Sequence, residues 1–280
     1  MEQNISKQEL ELIQKIKSYE IQGLFDKDVY DDPPAPVLLP ENADYLCKKF
    51  KNKVGRFFAN AIADRYFLSA IKRGELIIDK VDGEEYLATA LKDGAVITCN
   101  HFSEVDNYIV FHSIRKYLPK KYLYKVIREG NYTNFPGLYG FFFKHCNTLP
   151  LSSNKRTMIK FLSAVNELLK NKESILIYPE QAMWKNYKKV RPFKEGAFKI
   201  AYRANKPVLP LFISMCDSEK KDKNGAPLIK HTLHVLPPLY PNLELNEKAG
   251  ALDLLNRAYN ACKQKYEEVY KKELIYDGEL

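Results

Sequence analysis

The sequence lacks several features that would place it in particular classes of protein. No apolar run approaches the roughly 20 residues that a membrane-spanning helix needs, so we expect no transmembrane segment. Residues 1–20 are too polar for a secretory signal peptide, which favours a cytoplasmic protein. The five cysteines never form a CxxC pair, which argues against a zinc site or a disulfide framework: Cys47, Cys99, Cys146, Cys216 and Cys262.

Charge and composition indicate a folded basic protein. Hydrophobic residues make up 45% of the chain and charged residues 28%, which is typical of a globular protein. The net charge of +9 suits nucleic acid, an anionic membrane or an acidic protein as a partner. The basic residues are scattered, and no nucleic-acid motif, internal repeat or low-complexity tract accompanies them. We therefore expect no nucleic acid partner, although charge alone does not choose among the three.

The N-terminal part of the chain differs in pattern from the rest. An amphipathic helix is predicted over residues 5–20, and a proline-rich linker follows at residues 31–36. We therefore place an N-terminal helix and linker at residues 1–40 and the main domain at residues 41–280. The helix either packs on its own domain or lies on a membrane surface.

Strands and helices alternate through the main domain. This pattern predicts an α/β fold with a mostly parallel or mixed central sheet flanked by helices, plus the N-terminal helical extension. Pro210 is expected to mark an edge strand or an irregular strand, because it cannot donate a ladder hydrogen bond. Helices are predicted at residues 42–72, 84–92, 103–117, 154–170, 194–204 and 246–272, and strands at 75–81, 95–99, 121–127, 174–178, 208–215 and 230–236.

The strongest candidate site follows the predicted strand at residues 95–99. His101 lies in the turn after this strand, and Asp106 lies at the start of the next predicted helix. If the turn folds back, the carboxylate can hold one ring nitrogen of His101 and leave the other free as a base. Alternatively, Asp106 only caps the helix and His101 is an ordinary loop histidine.

The run Asn100-His101-x-x-x-x-Asp106 resembles the signature of the glycerolipid acyltransferase family, which includes lysophosphatidic acid and glycerol-3-phosphate acyltransferases. Further along, Tyr178-Pro179-Glu180 after a strand resembles the third block of that family, and residues 206–211 resemble the fourth. Residues 125–151 resemble the second block less closely. The resemblance therefore runs in the family's order from about residue 75 to residue 215.

The chain departs from the family pattern after Glu180. Gln181, Ala182 and Met183 stand where the family usually has Gly, Thr and Arg, so the usual phosphate contact is in doubt. Lys185 or Arg191 in the basic stretch that follows could hold a phosphate instead. That stretch, which contains the only tryptophan of the chain, could equally be a solvated loop or a membrane contact.

The resemblance implies acyl transfer from acyl-CoA or acyl-carrier protein to a hydroxyl of a lysolipid acceptor, most simply 1-acylglycerol-3-phosphate. It implies His101 as the general base and Asp106 as its orienting partner, with no bound cofactor or metal. We expect amides near Ser103 to hold the oxyanion and a peripheral anionic membrane surface to be the working location. The expected substrate-binding residues are Asn100, Lys125, Glu180, Gln181, Lys185 and Arg191.

Two alternatives stay open at this point. The altered residues 181–183 suit a related acyltransferase with another acceptor, such as a lysophospholipid, a glycolipid or an envelope polyol. A non-catalytic basic protein would bind membrane or nucleic acid in a salt-dependent way that ignores His101. Phe141-Phe142-Phe143 could line an acyl-chain groove or belong to the core.

Overall fold

A computed structural model describes residues 7–31, 34–222 and 225–279 of the chain. Its strands are β1 (Ile77–Asp82), β2 (Val96–Thr98), β3 (Leu123–Ile127), β4 (Thr148–Pro150), β5 (Ser174–Ile177), β6 (Val208–Lys221) and β7 (Pro227–Val235). Its helices are α1 (Lys7–Ile21), α2 (Phe50–Arg73), α3 (Glu85–Leu91), α4 (Asp106–Ile114), α5 (Glu129–Thr133), α6 (Gly137–His145), α7 (Lys155–Lys170), α8 (Gly196–Ala204) and α9 (Glu247–Tyr270), with a 3-10 turn at Arg115–Tyr117.

The strands of the described chain form one seven-stranded sheet in the order β1-β7-β6-β2-β5-β3-β4. Neighbouring strands are parallel except for β6 and β7, which are antiparallel. Helices cover both faces, and the strand β2 at the centre is fully buried. Burial on both faces explains the continuous apolar runs of these strands. The predicted α/β fold with a mixed sheet flanked by helices is confirmed.

The second helix starts later than the periodicity predicts. The pattern placed it from residue 42, whereas α2 begins at Phe50. The carboxylate of Asp44 accepts hydrogen bonds from the amides of Lys48 and Lys49, which fixes a turn there. Cys47 adopts a left-handed backbone with φ of 53°, which no helix can contain. The polar turn therefore delays the helix.

The prediction that Pro210 marks an edge strand is wrong, whereas its strand is irregular further along, since the pairing of β6 with β7 shifts register between Asp217 and Lys221. Its strand, β6, lies between β7 and β2 inside the sheet. Pro210 pairs with Thr98 of β2, and its carbonyl accepts from Leu236 just beyond β7. Pairing with β7 begins only at Leu211, so the missing N–H falls where that ladder ends. A proline is tolerated there because it removes no ladder bond.

The N-terminal helix packs against the long loop that follows β5. Ile16 and Val29 join Trp184 in one buried apolar cluster. Lys189 of the loop forms ion pairs with Glu20 of α1 and with Asp277 near the other end of the chain. Two distant parts of the sequence therefore meet on the same loop.

Some predicted segments fall partly outside the described residues. These are residues 5 and 6 of the N-terminal helix, Asp32 and Pro33 of the linker, and Lys223 and Asn224 of the turn between β6 and β7. The domain boundary at residue 40 stays a prediction. No helix of the described residues is long and apolar enough to cross a membrane.

Candidate active site

Two loops meet beside His101 and Asp106, the pair called the dyad below, because of the strand order. β2 and β5 are parallel neighbours, and Thr98 pairs with Ile177 at their carboxyl ends. The chain after β2 carries His101, and the chain after β5 carries Tyr178 and Glu180. Crevices outside the carboxyl ends of parallel strands are the usual ligand sites of open α/β sheets.

The predicted pair forms. The Nδ1 atom of His101 lies 2.7 Å from Oδ2 of Asp106, although five residues separate the two in sequence. Asp106 is fully buried, whereas the His101 side chain keeps 19% of its surface exposed. No described residue bonds to Nε2 of His101, so this nitrogen is free to accept a proton from a bound hydroxyl.

A tyrosine completes the arrangement. The hydroxyl of Tyr178 donates to Oδ1 of Asp106 at 2.7 Å, and its ring stacks on the imidazole of His101 with centroids 4.0 Å apart. Burial, and then the charge of Asp106, raises the pKa of Tyr178 well above its ordinary value. Tyr178 therefore stays protonated and holds Asp106 as an acceptor.

The turn differs from the expected helix start. The helix was predicted from residue 103, but α4 begins at Asp106, and the Oγ atom of Ser103 accepts from the amide of Val105. The amides of Phe102 and Ser103 point at Oδ2 of Asp106, at 3.3 and 3.4 Å. They are occupied by the dyad carboxylate, so the expected use of the Ser103 amide as an oxyanion donor does not agree with this geometry.

Glu180 holds the turn that contains His101 through a hydrogen bond to its backbone. Its carboxylate accepts from the amide of His101 at 3.1 Å and from the amide of Arg191 at 2.9 Å, and it pairs with the Arg191 guanidinium at 2.8 Å. Both of its oxygens are engaged, and its side chain is 1% exposed. The expectation that Glu180 binds the acceptor is therefore corrected, because it holds the His101 backbone instead.

Arg191 is also too buried to contact a substrate. Its side chain is fully buried and donates to the carbonyls of Phe25 and His101 as well as to Glu180. The guanidinium lies 4.6 Å above the ring of Trp184. The predicted phosphate role of Arg191 is corrected, because its side chain is fully buried and both terminal nitrogens donate to protein groups that join the N-terminal segment to the two loops.

Trp184 is no membrane anchor. It is fully buried, and its indole N–H donates to the carbonyl of Lys27 at 2.8 Å. Its backbone amide donates to the carbonyl of His101, and the amide of Asn186 donates to that of Phe102. The loop after β5 therefore holds the turn that contains His101 through main-chain hydrogen bonds.

The remaining expected substrate contacts divide into buried and exposed residues. Asn100 is buried and makes two hydrogen bonds to the backbone of Ile213, which ties the end of β2 to β6 and leaves it no surface for a substrate. Gln181 and Lys185 are exposed, and Gln181 has a left-handed backbone with φ of 69°. Their predicted substrate roles stay predictions.

An apolar pocket with about 690 Å³ of empty space opens beside the dyad. Asn107 lines it, and this residue contacts the hydroxyl of Tyr178 at 3.3 Å. Lys125 projects into the same pocket, where burial lowers its pKa, and it has no ion-pair partner among the described residues. Much of the remaining lining is aromatic: Phe67, Tyr108, Phe111, Tyr139, Phe142 and Phe143.

Sequence reasoning missed Tyr178, although its run was part of the argument. The missing signal was strand adjacency, since only the pairing of β5 with β2 brings Tyr178 onto His101. In the described chain, no group of three or more His, Cys, Asp or Glu side chains could hold a metal ion.

Comparison with known proteins finds a family model and a solved structure that resemble this chain. Residues 79–214 match the family model described as Acyltransferase. The fold is similar to the crystal structure of the 1-acyl-sn-glycerophosphate (LPA) acyltransferase, PlsC, from Thermotoga maritima. The identity is 17% and the TM-score 0.54, over 94% of this chain and 95% of that chain. No curated protein gives a significant match.

The matched residues begin in β1 and end in β6, so they contain the dyad, Tyr178 and Glu180. The match thus spans the candidate site and the parallel strands β2 and β5 that position it. Just under half of the chain is therefore similar to the Acyltransferase family model, and the fold resembles that of an acyltransferase.

Proposed function

We propose that this enzyme transfers a fatty acyl group from acyl-CoA or acyl-carrier protein to a hydroxyl of a lysolipid, with His101 as the general base. One observation carries the proposal: Nδ1 of His101 is held by a buried carboxylate, while Nε2 bonds to no described residue and the side chain is 19% exposed. This geometry fixes the tautomer that a base requires.

The chemistry follows from the two nitrogens. Nε2 takes the proton of the acceptor hydroxyl while its oxygen attacks the thioester carbon. The carbon–sulfur bond then breaks, the thiolate leaves, and the proton on Nε2 can return to it as a thiol. Asp106 stabilises the imidazolium in between, and general-base help of this kind contributes roughly 10²–10⁴-fold in rate. No acyl-enzyme forms, because the acceptor oxygen attacks directly.

The apolar pocket suits a lipid chain. It opens at Asn107 on the first turn of α4, next to the dyad, and its aromatic lining includes Phe142 and Phe143. Apolar pockets of this kind bind ligands through buried area, with a few polar groups for orientation. Lys125 is the cation in the lining, and we assign it to an anionic group on the acceptor.

Membrane contact is assigned to one face of α2. Phe50 is 81% exposed and Phe57 is 69% exposed, and Phe58 and Ile62 continue the same apolar strip. Exposed lysines flank the strip at Lys48, Lys49, Lys51 and Lys53. An apolar strip bordered by cations suits an anionic bilayer, where each Lys or Arg adds about 1 kcal/mol.

The test is product analysis with matched histidine variants. Purified His101→Ala should fold but lose thioester-dependent acylation by at least roughly 10²-fold, whereas His112→Gln on α4 should retain it. Mass spectrometry of products from mixed acyl thioesters and lyso-acceptors is the readout. Near-normal turnover by His101→Ala would exclude the mechanism.

One observation favours a second class of acceptor. Arg191, the nearest arginine to the altered residues 181–183, is fully buried and cannot contact a phosphate. An acceptor without phosphate, such as a glycolipid, would then depend on other groups. A panel of acceptors with and without phosphate separates the two, and Lys125→Met should impair only the phosphorylated ones.

A further inference from the structure

A second pocket lies at the edge strand β4, apart from the catalytic pocket. It holds about 430 Å³ of empty space, part of which is open solvent, and the two linings share only Thr148. Side chains from α2, β3 and the end of α6 meet in it, including Arg56, Tyr124 and Lys144. Tyr124 packs in the core cluster on the α7 side of the sheet, whereas the dyad lies with the other cluster. No step of acyl transfer uses this pocket.

The pocket is rich in unused hydrogen-bond donors. Arg56 packs on the ring of Tyr122 at 5.0 Å and has no carboxylate partner among the described residues. Lys144 likewise forms no ion pair within the described chain. The side-chain nitrogen Nδ2 of Asn147 makes no hydrogen bond to a described residue, and neither do the hydroxyls of Tyr124 and Tyr132. A site with many donors and few acceptors fits an anion.

The one carboxylate in the lining is already satisfied. Asp44 accepts from the amides of Lys48 and Lys49 and from the side chain of Asn52. These bonds help to hold its pKa below the ordinary value, although burial opposes them. Asp44 therefore serves the turn before α2 and forms no ion pair with Arg56 or Lys144.

The charges around His145 point the same way. Burial, and then the neighbouring ammonium groups of Lys144 and Lys51, lower the pKa of His145. The ring lies against α2, because a Cβ atom added to Gly55 would come within 2.7 Å of its Nδ1. Two separate cations thus raise the potential at this end of the cavity.

We propose that this pocket binds a phosphate monoester, held by Arg56, Lys144 and Asn147. Charge-assisted hydrogen bonds from guanidinium and ammonium groups are the strong contacts that phosphate oxygens make in proteins. The site is independent of the acyl-transfer proposal, since it shares no catalytic residue with it. The ligand is either a free phosphate ester or the headgroup of an anionic lipid.

The test follows the His145 ring signals of the full chain by NMR. Inorganic phosphate and glycerol phosphate are titrated at constant ionic strength against chloride. We expect a saturable shift with phosphate, about tenfold weaker binding in Arg56→Gln, and unchanged binding in the control Arg65→Gln, which lies on the exposed face of the same helix. Equal shifts with chloride, or unchanged affinity in Arg56→Gln, would overturn the proposal.

Two further arms complete the experiment. Lys144→Gln removes an exposed charge and replaces Arg56→Gln in the titration if Arg56→Gln fails to fold. We expect the same loss of phosphate affinity in Lys144→Gln. An affinity equal to that of the parent protein would overturn the proposal. For a lipid headgroup, Arg56→Gln should bind phosphatidate vesicles more weakly than Arg65→Gln, with no difference on phosphatidylcholine. For a free ester, glycerol phosphate saturates the site in solution. If neither arm depends on Arg56, the site does not bind phosphate.

Discussion

At the scale of the residue, the role of His101 as the proposed general base depends on the hydrogen bonds that hold Asp106. Its two oxygens accept from His101, Tyr178 and the amides of Phe102 and Ser103. These four hydrogen bonds fix the carboxylate where it can orient the imidazole and, in the proposed reaction, stabilise its charge. The stacked ring of Tyr178 also limits how the imidazole can tilt.

Removing the Tyr178 hydroxyl should therefore slow catalysis while the fold survives. Tyr178→Phe keeps the stacked ring but leaves one buried oxygen of Asp106 without its donor, which costs about 1–3 kcal/mol. We expect kcat to fall roughly tenfold or more if that cost falls on the transition state. Steady-state kinetics with the exposed control Tyr240→Phe check this, and equal kcat values for the two variants would contradict it.

The Arg191–Glu180 pair should matter for stability. Arg191→Met leaves a buried carboxylate unpaired, which is expected to lower the free energy of unfolding by about 3–5 kcal/mol. Lys185→Met, an exposed cation of the same loop, should change it little. Adding Glu180→Gln to Arg191→Met should restore part of the loss. Urea denaturation of the parent, Arg191→Met, Glu180→Gln and the double variant measures the coupling, with Lys185→Met as the control, and additive losses would refute the pairing.

The site was partly predictable from sequence. The spacing of His101 and Asp106 gave the dyad, because a strand-to-helix turn brings both to one place. The roles of Asn100, Glu180 and Arg191 were not predictable, because polar residues near a motif look alike whether they face a substrate or the backbone. Burial separates the two cases, and burial depends on the β2–β5 and β2–β6 neighbours.

At the scale of the element, α2 carries the membrane prediction. Replacing Phe57 and Phe58 by Ser removes exposed apolar area, and each Phe should contribute about 1.5–3 kcal/mol if buried in lipid. We expect at least roughly tenfold weaker binding to anionic vesicles, with turnover on short-chain dispersed substrates retained. Ile159→Ser on α7, exposed to 69%, is the matched control. Cosedimentation with vesicles measures the effect, and equal binding by both variants would exclude α2.

The buried strands β2 and β5 and two long helices were predicted closely, whereas the start of α2 and the stretch from α5 to β4 were not. Strand and helix alternation located α7 and α9 within a residue or two. The stretch from α5 to β4 was recognised only as a weak family block, since its elements are short and aromatic residues fill it. Gly140 shows the reason, because a Cβ atom there would clash with the carbonyl of Phe135. Such close packing leaves no periodic signal.

At the scale of the whole molecule, buried histidines set the response to acid. Burial lowers the pKa of His231 and His234 from the ordinary value of 6.5. Below pH 6.5 the unfolded chain therefore binds more protons than the folded chain, so stability must fall as the pH falls. Each histidine adds a slope of up to about 1.4 kcal/mol per pH unit.

Denaturation midpoints between pH 7.5 and pH 5 should record this loss before the carboxylates titrate. Asp44 and Glu129 have lowered pKa values and add their own loss only at more acidic pH. His231→Gln should flatten the slope near pH 6 relative to the parent protein. A stability that rises on acidification in this range would refute the assignment.

The single tryptophan has a practical consequence. Trp184 is the chain's only indole, lies under the guanidinium of Arg191 and is sealed from water. Its fluorescence therefore reports whether the loop after β5 is packed against the turn that contains His101. A red shift of the tryptophan emission would show that this loop has detached before the far-UV circular dichroism of the helices is lost, and no dye is needed.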